Sequence, residues 1–83
     1  MKIMYFAWMR EHIGASMEQI DKPDHVQTVE DLVLHLRGVS AGHALALSNM
    51  AVVRVAVNQN YTSLEAPLED HDEVAFFPPV TGG

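Results

Sequence analysis

The spacing of hydrophobic and polar residues along the chain predicts two strands near its beginning. Residues 3–9 are apolar at successive positions, as in an inner strand or in a strand whose second face meets a partner. Gly14 then supplies a turn, and the weak alternation over residues 16–21 predicts a short second strand. We expect the two strands to pair as an N-terminal hairpin.

Residues 28–38 carry the clearest helical pattern in the chain. Thr28 suits the N-cap position because Asp31 follows three residues later. Apolar residues then recur at the spacing of one helix face, namely Val29, Leu32, Val33 and Leu36. Gly38 predicts the end of this helix, and the Ala- and Leu-rich residues 41–47 predict a second, short helix.

The remaining residues predict three more strands. The segments are an alternating strand over residues 52–57, a turn over 58–60, a short strand over 61–64, an acidic turn over 69–72 and a final apolar strand over 74–77. This order predicts an α+β fold in which a mixed sheet of about five strands packs on one main helix. The layout matches the β-grasp, or ubiquitin-like, class, in which the last strand lies beside the first.

The composition narrows the range of functions. The chain has 83 residues, enough for one domain, and its formal net charge of −6 opposes binding to nucleic acid or to an anionic membrane surface. It contains no cysteine, so no side-chain thiol can carry sulfur or act as a nucleophile. The N-terminal apolar run is too short to span a bilayer and lacks a small-residue cleavage site, which predicts a cytoplasmic protein.

The C-terminal residues form a candidate chemical group. Pro78-Pro79 removes two backbone donors, so we expect a domain over residues 1–77 and an extended tail over residues 78–83. At ~3.1 Å per residue the tail reaches roughly 19 Å, far enough to enter a pocket of another protein. Gly82-Gly83 has no Cβ atom to block a narrow entrance, and its terminal carboxylate needs activation, for example by adenylation. The alternative is a frayed terminus or a cloning remnant.

Several segments together resemble the small, sulfur-carrying subunit of molybdopterin synthase. They are Tyr5-Phe6-Ala7, Arg10-Glu11, Thr28-Val29, Ala44-Leu45-Ala46-Leu47, Val57-Asn58-Gln59 and the terminal run from Asp72 to Gly83. The resemblance implies that an ATP-dependent adenylating enzyme activates Gly83 and that a sulfur donor converts the product to a thiocarboxylate. It also implies a heterotetramer with the large subunit, in which this sulfur passes to cyclic pyranopterin monophosphate during molybdenum cofactor biosynthesis.

The residues expected to meet the partners lie in the tail and in a candidate aromatic patch. The small Gly82 gives access to Gly83, and the expected partner-binding residues are Phe6, Tyr61, Phe77, Pro78, Pro79, Val80 and Thr81. Among the aromatic residues, the resemblance favours an interface role for Phe6 and Phe77. For the three aromatic residues, an exposed docking patch competes with ordinary core packing. Arg10, Glu11 and Arg54 could help to orient the tail, although solvated surface charge is the simpler interpretation.

Three positions depart from the usual sequence of this family, namely His71, Trp8 and Tyr61. The family usually has Gly where this chain has His71, so we expect strain there if the φ angle of His71 is positive. Trp8, like Tyr61, is expected on the partner-facing side of the sheet.

We expect no metal and no bound cofactor on this chain. The five histidines lack the i, i+4 spacing of a helical metal site, and no cysteine joins them. The acidic run from Glu69 to Glu73 lacks the spacing of a calcium loop and predicts a solvated turn.

Other functions stay open at this point. A ubiquitin-like protein tag would use the same activated carboxylate to form an isopeptide bond with a lysine, and a thiamine-pathway sulfur carrier would also end in Gly-Gly. A non-covalent interaction module would use the face around Phe6 and Phe77 and would not need the tail.

Overall fold

A computed structural model describes residues 1–79. The strands are β1 (Lys2–Tyr5), β2 (Met17–Gln19), β3 (Arg54–Val57), β4 (Asn60–Thr62) and β5 (Glu73–Phe77). The helices are α1 (Trp8–Ile13), α2 (Val29–Arg37) and α3 (Ala41–Ala46), and a 3₁₀ turn spans Met50–Val52. The strands form one mixed sheet in the spatial order β2-β1-β5-β3-β4.

Strand β5 lies at the centre of this sheet. It pairs in parallel with β1, so that Ile3 lies beside Val74 and Tyr5 beside Phe76. On its other side β5 pairs antiparallel with β3, which in turn pairs antiparallel with β4. Strand β2 pairs antiparallel with the free edge of β1. The predicted α+β class, the five strands and the last strand beside the first are therefore confirmed.

Helix α2 begins and ends where the sequence predicts. The side chain of Thr28 accepts a hydrogen bond from the backbone N–H of Asp31 at 3.2 Å, and Asp31 Oδ2 accepts one from the N–H of Thr28 at 3.2 Å. This capping box satisfies donors that the first turn leaves unpaired. Gly38 follows the last residue as C-cap.

The apolar face of α2 covers one face of the sheet. The buried residues of this core include Ile3, Tyr5, Met9, Val26, Val29, Leu32, Val33, Leu36, Leu47, Val55, Val74 and Phe76. Helix α3 packs closely on α1, because a Cβ atom built on Gly42 would meet the carbonyl oxygen of His12. Any larger residue at position 42 would force the two short helices apart.

The predicted first strand over residues 3–9 is wrong beyond Tyr5. Ala7 has φ 55° and ψ −131°, a conformation that turns the chain out of the sheet, and α1 begins at the next residue. Trp8 packs against the core from α1, so its expected position on the sheet is also wrong. The apolar run fitted a strand and a buried helix equally well, because periodicity over so few residues does not separate them.

The other element boundaries differ from the predictions by a few residues. The predicted strands over 16–21 and 52–57 shorten to β2 and β3, and the strand predicted over 61–64 is displaced to β4, which begins one residue earlier and ends two residues earlier. Helix α3 and strand β5 lie within one residue of their predicted limits. In the described part of the chain, the non-glycine residues with positive φ are Ala7, Asn58 and Gln59. His71 is not among these residues, so the strain that a positive φ would cause at His71 does not arise.

The turn between β3 and β4 is fixed by Asn58. Asn58 and Gln59 both have positive φ, as a two-residue hairpin of the primed type requires. The side-chain amide of Asn58 also donates to Asp72 Oδ1 at 2.9 Å and accepts from the N–H of Glu73 at 3.0 Å. Asn58 thus adopts the backbone conformation that the hairpin turn requires and hydrogen-bonds to the residues at the beginning of β5.

Over residues 1–79, no helix is long and apolar enough to cross a membrane.

We expect Ala7→Gly to stabilise the domain by about 1 kcal/mol, because glycine adopts the observed φ and ψ without the steric cost that alanine carries. Urea unfolding followed by circular dichroism measures the change. The control is Ala44→Gly in the middle of α3, where the expected effect is a loss of about 1 kcal/mol. An equal loss from both substitutions would show that Ala7 is not strained.

Candidate functional site

The face of the sheet opposite α2 is apolar and uncovered. In β5, Val74 and Phe76 point into the core, so alternation places Ala75 and Phe77 on the other side. A cross-strand row continues through the sheet in the order Met17, Met4, Ala75, Ala56 and Tyr61, one residue from each strand. We call this surface the open face and define it as Met4, Phe6, Met17, Ala56, Tyr61, Ala75 and Phe77.

Three aromatic residues dominate the open face. Tyr61 is 76% exposed, and its ring centroid lies 5.4 Å from that of Phe77. Phe6 is 41% exposed and follows β1, where its N–H donates to the carbonyl oxygen of Phe76 at 3.1 Å. The structure therefore places Phe6, Tyr61 and Phe77 on one surface and outside the core, although their sequence positions span most of the chain.

Charged residues border the open face at both ends of β5. The Lys2 ammonium lies 3.8 Å from a Glu73 carboxylate oxygen at the beginning of the strand. Arg54 lies beside Phe77 at the end of the strand, and its guanidinium donates to the carbonyl oxygen of Ala51 at 3.3 Å. Arg10 and Glu11 are exposed on α1. Of the three charged residues predicted to orient the tail, Arg54 is the one that strand pairing places next to Phe77, the residue before the predicted tail.

The tail leaves the sheet at Phe77. Strand β5 ends there, and Pro78 and Pro79 follow without strand pairing and are half-buried. The remaining predicted tail residues are Val80, Thr81, Gly82 and Gly83, and all four lie outside the described residues. The root of the tail is thus in the centre of the sheet and beside the aromatic residues of the open face.

A polar network lies beneath the open face, on the core side of the sheet. Glu18 Oε1 accepts hydrogen bonds from the Tyr5 hydroxyl and from His43 Nε2, each at 2.7 Å. Ser40 Oγ lies 2.7 Å from His43 Nδ1 and accepts from the N–H of His43 at 3.1 Å. Nε2 faces the Glu18 carboxylate and so carries a hydrogen, while Nδ1 contacts the Ser40 hydroxyl. The network joins β1, β2 and α3.

Tyr5 connects this network to the strand that carries the tail. Its ring stacks on Phe76 with centroids 6.2 Å apart and planes 12° apart, and His43 meets it edge-on at 5.9 Å. Tyr5 is 1% exposed and Phe76 is fully buried. Aromatic pairs of this kind add stability beyond their buried area. Phe76, the residue before Phe77, is therefore held on the core side of the sheet.

The network shifts two pKa values. Burial, the hydrogen bond to Glu18 and the charge of Glu18 all raise the pKa of the Tyr5 hydroxyl, which stays protonated. Burial also acts to raise the pKa of Glu18, but hydrogen bonds from His43 and Tyr5 and the charge on His43 outweigh it and lower that pKa. Glu18 is therefore ionised and acts only as an acceptor at neutral pH.

The residues best placed to hold a metal lie in the acidic turn. Ligand atoms of Glu69, His71 and Asp72 lie within 4.8 Å of one another. The Asp72 carboxylate already accepts hydrogen bonds from Asn58 and from the N–H of Glu69 at 2.8 Å. Burial acts to raise the pKa of Asp72, but these bonds lower it overall. The hydrogen bonds of Asp72 explain the proximity of these three residues as part of a structural turn. The expectation that this chain binds no metal stays a prediction.

The domain surface formed by residues 1–79 contains no ligand-sized cavity.

The sequence profile of the ThiS family matches residues 3–83. The chain belongs to the ThiS family. It is 45% identical over 84 residues to the molybdopterin synthase sulfur carrier subunit of Escherichia coli, a match that covers 99% of this chain and 98% of that protein. It is 40% identical over 83 residues to the subunit of the same name from Haemophilus influenzae, with 100% and 99% covered. The family predicted from the sequence is confirmed.

A solved structure agrees with the fold. Small archaeal modifier protein 1 of Haloferax volcanii superposes with a TM-score of 0.75 at 26% identity, over 95% of each chain. This ThiS-family domain therefore has the predicted β-grasp fold.

Four members of the open face were not predicted from the sequence, namely Met4, Met17, Ala56 and Ala75. The alternation within β1 and β5 contained a signal for Met4 and Ala75, because their neighbours Ile3, Tyr5, Val74 and Phe76 form the core. Met17 lies in a strand of three residues, which is too short for alternation to assign its face. Only the pairing register with β1 does so.

We expect Glu18→Gln to destabilise the domain by about 1 kcal/mol at pH 7, because the neutral amide accepts weaker hydrogen bonds from Tyr5 and His43. The pKa of folded Glu18 lies below its ordinary value of 4.5, so its ionised form adds stability above that pH. This contribution is lost as pH falls through 4.5 towards the lowered folded pKa.

Urea unfolding from pH 3 to pH 8 therefore tests the network, with the difference between wild type and variant largest near neutrality and smallest in acid. Glu65→Gln is the matched control, since Glu65 is exposed in a turn. A stability difference for Glu18→Gln that does not change with pH would contradict an ionised Glu18 in the network.

Proposed function

We propose that this chain is the sulfur carrier of a molybdopterin synthase and that the carboxylate of Gly83 carries the sulfur. The full-length similarity to the E. coli subunit of that name is the observation that carries the proposal. The fold supports it, because β5 releases the C-terminal residues from the centre of the sheet beside an apolar surface. The domain over residues 1–77 serves to present the tail over residues 78–83.

The proposed chemistry needs no side chain of this domain. An adenylating enzyme joins the Gly83 carboxylate to AMP and releases pyrophosphate from ATP. A sulfur donor then displaces AMP and leaves a thiocarboxylate, which is a better nucleophile than the carboxylate. In the large synthase subunit the sulfur passes to cyclic pyranopterin monophosphate. Gly82 supports each step because it lets the tail pass a narrow entrance.

The open face is the proposed docking surface for the large subunit. It presents Phe6, Tyr61 and Phe77 together, and aromatic anchors of this kind supply much of the binding energy in protein interfaces. Pro78, Pro79, Val80 and Thr81 continue from it into the partner. Small and large subunits then form the heterotetramer, and ATP is used by the activating enzyme alone. The expected location is the cytoplasm.

A second candidate function is a ubiquitin-like protein tag. The likeness to small archaeal modifier protein 1 favours it, since that protein is named as a modifier and has the same fold. A tag would transfer the activated Gly83 carbonyl to a lysine of a target, whereas the carrier transfers only sulfur. A thiamine-pathway sulfur carrier is a further alternative that would use the same carboxylate.

We expect the intact mass of the chain to rise by the exchange of one oxygen for sulfur after incubation with the host adenylating enzyme, ATP and a sulfur donor. The physical reason is that the acyl-adenylate on Gly83 is open to attack by sulfur. Mass spectrometry of the whole protein measures this change.

A chain lacking Gly83 and a chain with one residue added after Gly83 are the controls, and neither should gain sulfur. A thiocarboxylate that appears on all three chains would place the chemistry elsewhere. Larger, lysine-linked conjugates in host lysate would instead support the tag.

We expect Tyr61→Asp to weaken binding to the large subunit by about tenfold or more, because docking would bury the new carboxylate among apolar residues. Calorimetric titration of the large subunit measures the affinity. Leu34→Asp is the matched control, since Leu34 is 57% exposed on α2, on the other side of the sheet. Equal losses from both variants would argue against docking through the open face.

A further inference from the structure

The open face ends in a methionine pair at the β2 edge of the sheet. Met17 of β2 lies directly across from Met4 of β1, and the row continues from Met4 to Ala75 in the centre. Met17 is 49% exposed, and Met4 is half-buried. The open face therefore extends from the aromatic residues near Phe77 to the exposed thioether of Met17.

The other methionines are shielded from solvent to different degrees. Met1 is 4% exposed and Met9 is fully buried in the core, while Met50 is partly buried and packs against the core. The chain has no cysteine, so its thioethers are its only sulfur-containing side chains. Oxidants act first on exposed sulfur. Exposure therefore singles out Met17 as the most reactive of the five methionines.

We propose that Met17 is a reversible oxidation site whose state controls docking of the open face onto the large subunit. The proposal rests on the proposed function, since it takes the open face as the docking surface. The row from Met17 through Met4 to Ala75 makes Met17 continuous with the centre of that surface. A change of polarity at Met17 therefore alters the same apolar area that the partner covers.

The chemistry is a two-electron oxygen transfer. A peroxide gives one oxygen atom to the Met17 sulfur, an S=O bond forms, the O–O bond breaks, and the peroxide leaves as water or an alcohol. Methionine sulfoxide reductase reverses the step, with two thiols oxidised to a disulfide and the oxygen released as water. In the oxidised state the flexible apolar side chain is polar and has a chiral sulfur.

The expected consequence follows from desolvation. A sulfoxide oxygen is a strong hydrogen-bond acceptor, and covering it with an apolar partner surface removes its water without replacement. The unmodified thioether has no such cost and adapts its shape to the partner. Oxidised carrier is therefore expected to dock more weakly, by about tenfold or more.

The test uses the full chain, hydrogen peroxide and the large subunit. Peptide mapping by mass spectrometry is expected to show sulfoxide first at Met17, with Met1 and Met9 unreacted. Calorimetry is expected to show at least about tenfold weaker binding after oxidation, restored by methionine sulfoxide reductase with dithiothreitol. Saturating large subunit is also expected to slow the oxidation of Met17, because docking covers it.

Two variants separate Met17 from general oxidative damage. Met17→Leu keeps an apolar side chain that peroxide cannot oxidise, so treated and untreated samples of this variant should bind equally. Met50→Leu is the matched control and should lose affinity on treatment as the wild type does.

The outcomes also separate this proposal from the one on which it rests. If binding is still normal when Met17 is completely oxidised, the proposed oxidation site is wrong. The same holds if Met1 and Met9 are oxidised before Met17. Neither result would contradict docking through the open face. Absence of binding by the untreated chain would overturn docking through the open face and this proposal with it.

Discussion

The parallel pairing of β1 with β5 is the constraint on which the rest of the molecule depends. It joins residues 2–5 to residues 73–76, so the first and the last strand are neighbours within the sheet. Parallel neighbours need a long crossover, and here the crossover contains α2, which covers one face of the sheet. The opposite face is left uncovered, and the chain after Phe77 leaves from the centre of the sheet.

The register of this pairing determines which side chains of β5 face the core and which face the opposite side of the sheet. Val74 and Phe76 enter the core, while Ala75 and Phe77 join the open face. A slip of one residue would exchange the two sets and bury the wrong side chains. The stack of Tyr5 on Phe76 and the hydrogen bonds from Tyr5 through Glu18 to His43 oppose such a slip. The core and the open face are thus the two sides of one arrangement of strands.

Local patterns predicted the elements that local interactions specify. Helix α2 was predicted correctly because its capping box and its apolar spacing lie within ten residues. The run over residues 3–9 was misread because it changes from strand to helix at Ala7, which has an unusual backbone conformation, and because the helix that follows packs on α3, a segment distant in sequence. The hydrogen-bonded set of Tyr5, Glu18, Ser40 and His43 had no sequence signal at all, since its members come from three separate elements.

The sequence by itself determined the family and the order of most elements, and it pointed to the proposed chemical group, because each of these depends on contiguous segments with their own patterns. Only the tertiary structure decided which side chains share a surface, since Phe6, Met17, Tyr61 and Phe77 come together through strand pairing between distant segments. The register of strand pairing determines on which face of the sheet each side chain lies. That register is set by burial of the whole core rather than by any short run of residues. The proposed tail chemistry was therefore predicted from one segment of the sequence, whereas the surface proposed to present it was predicted only in part.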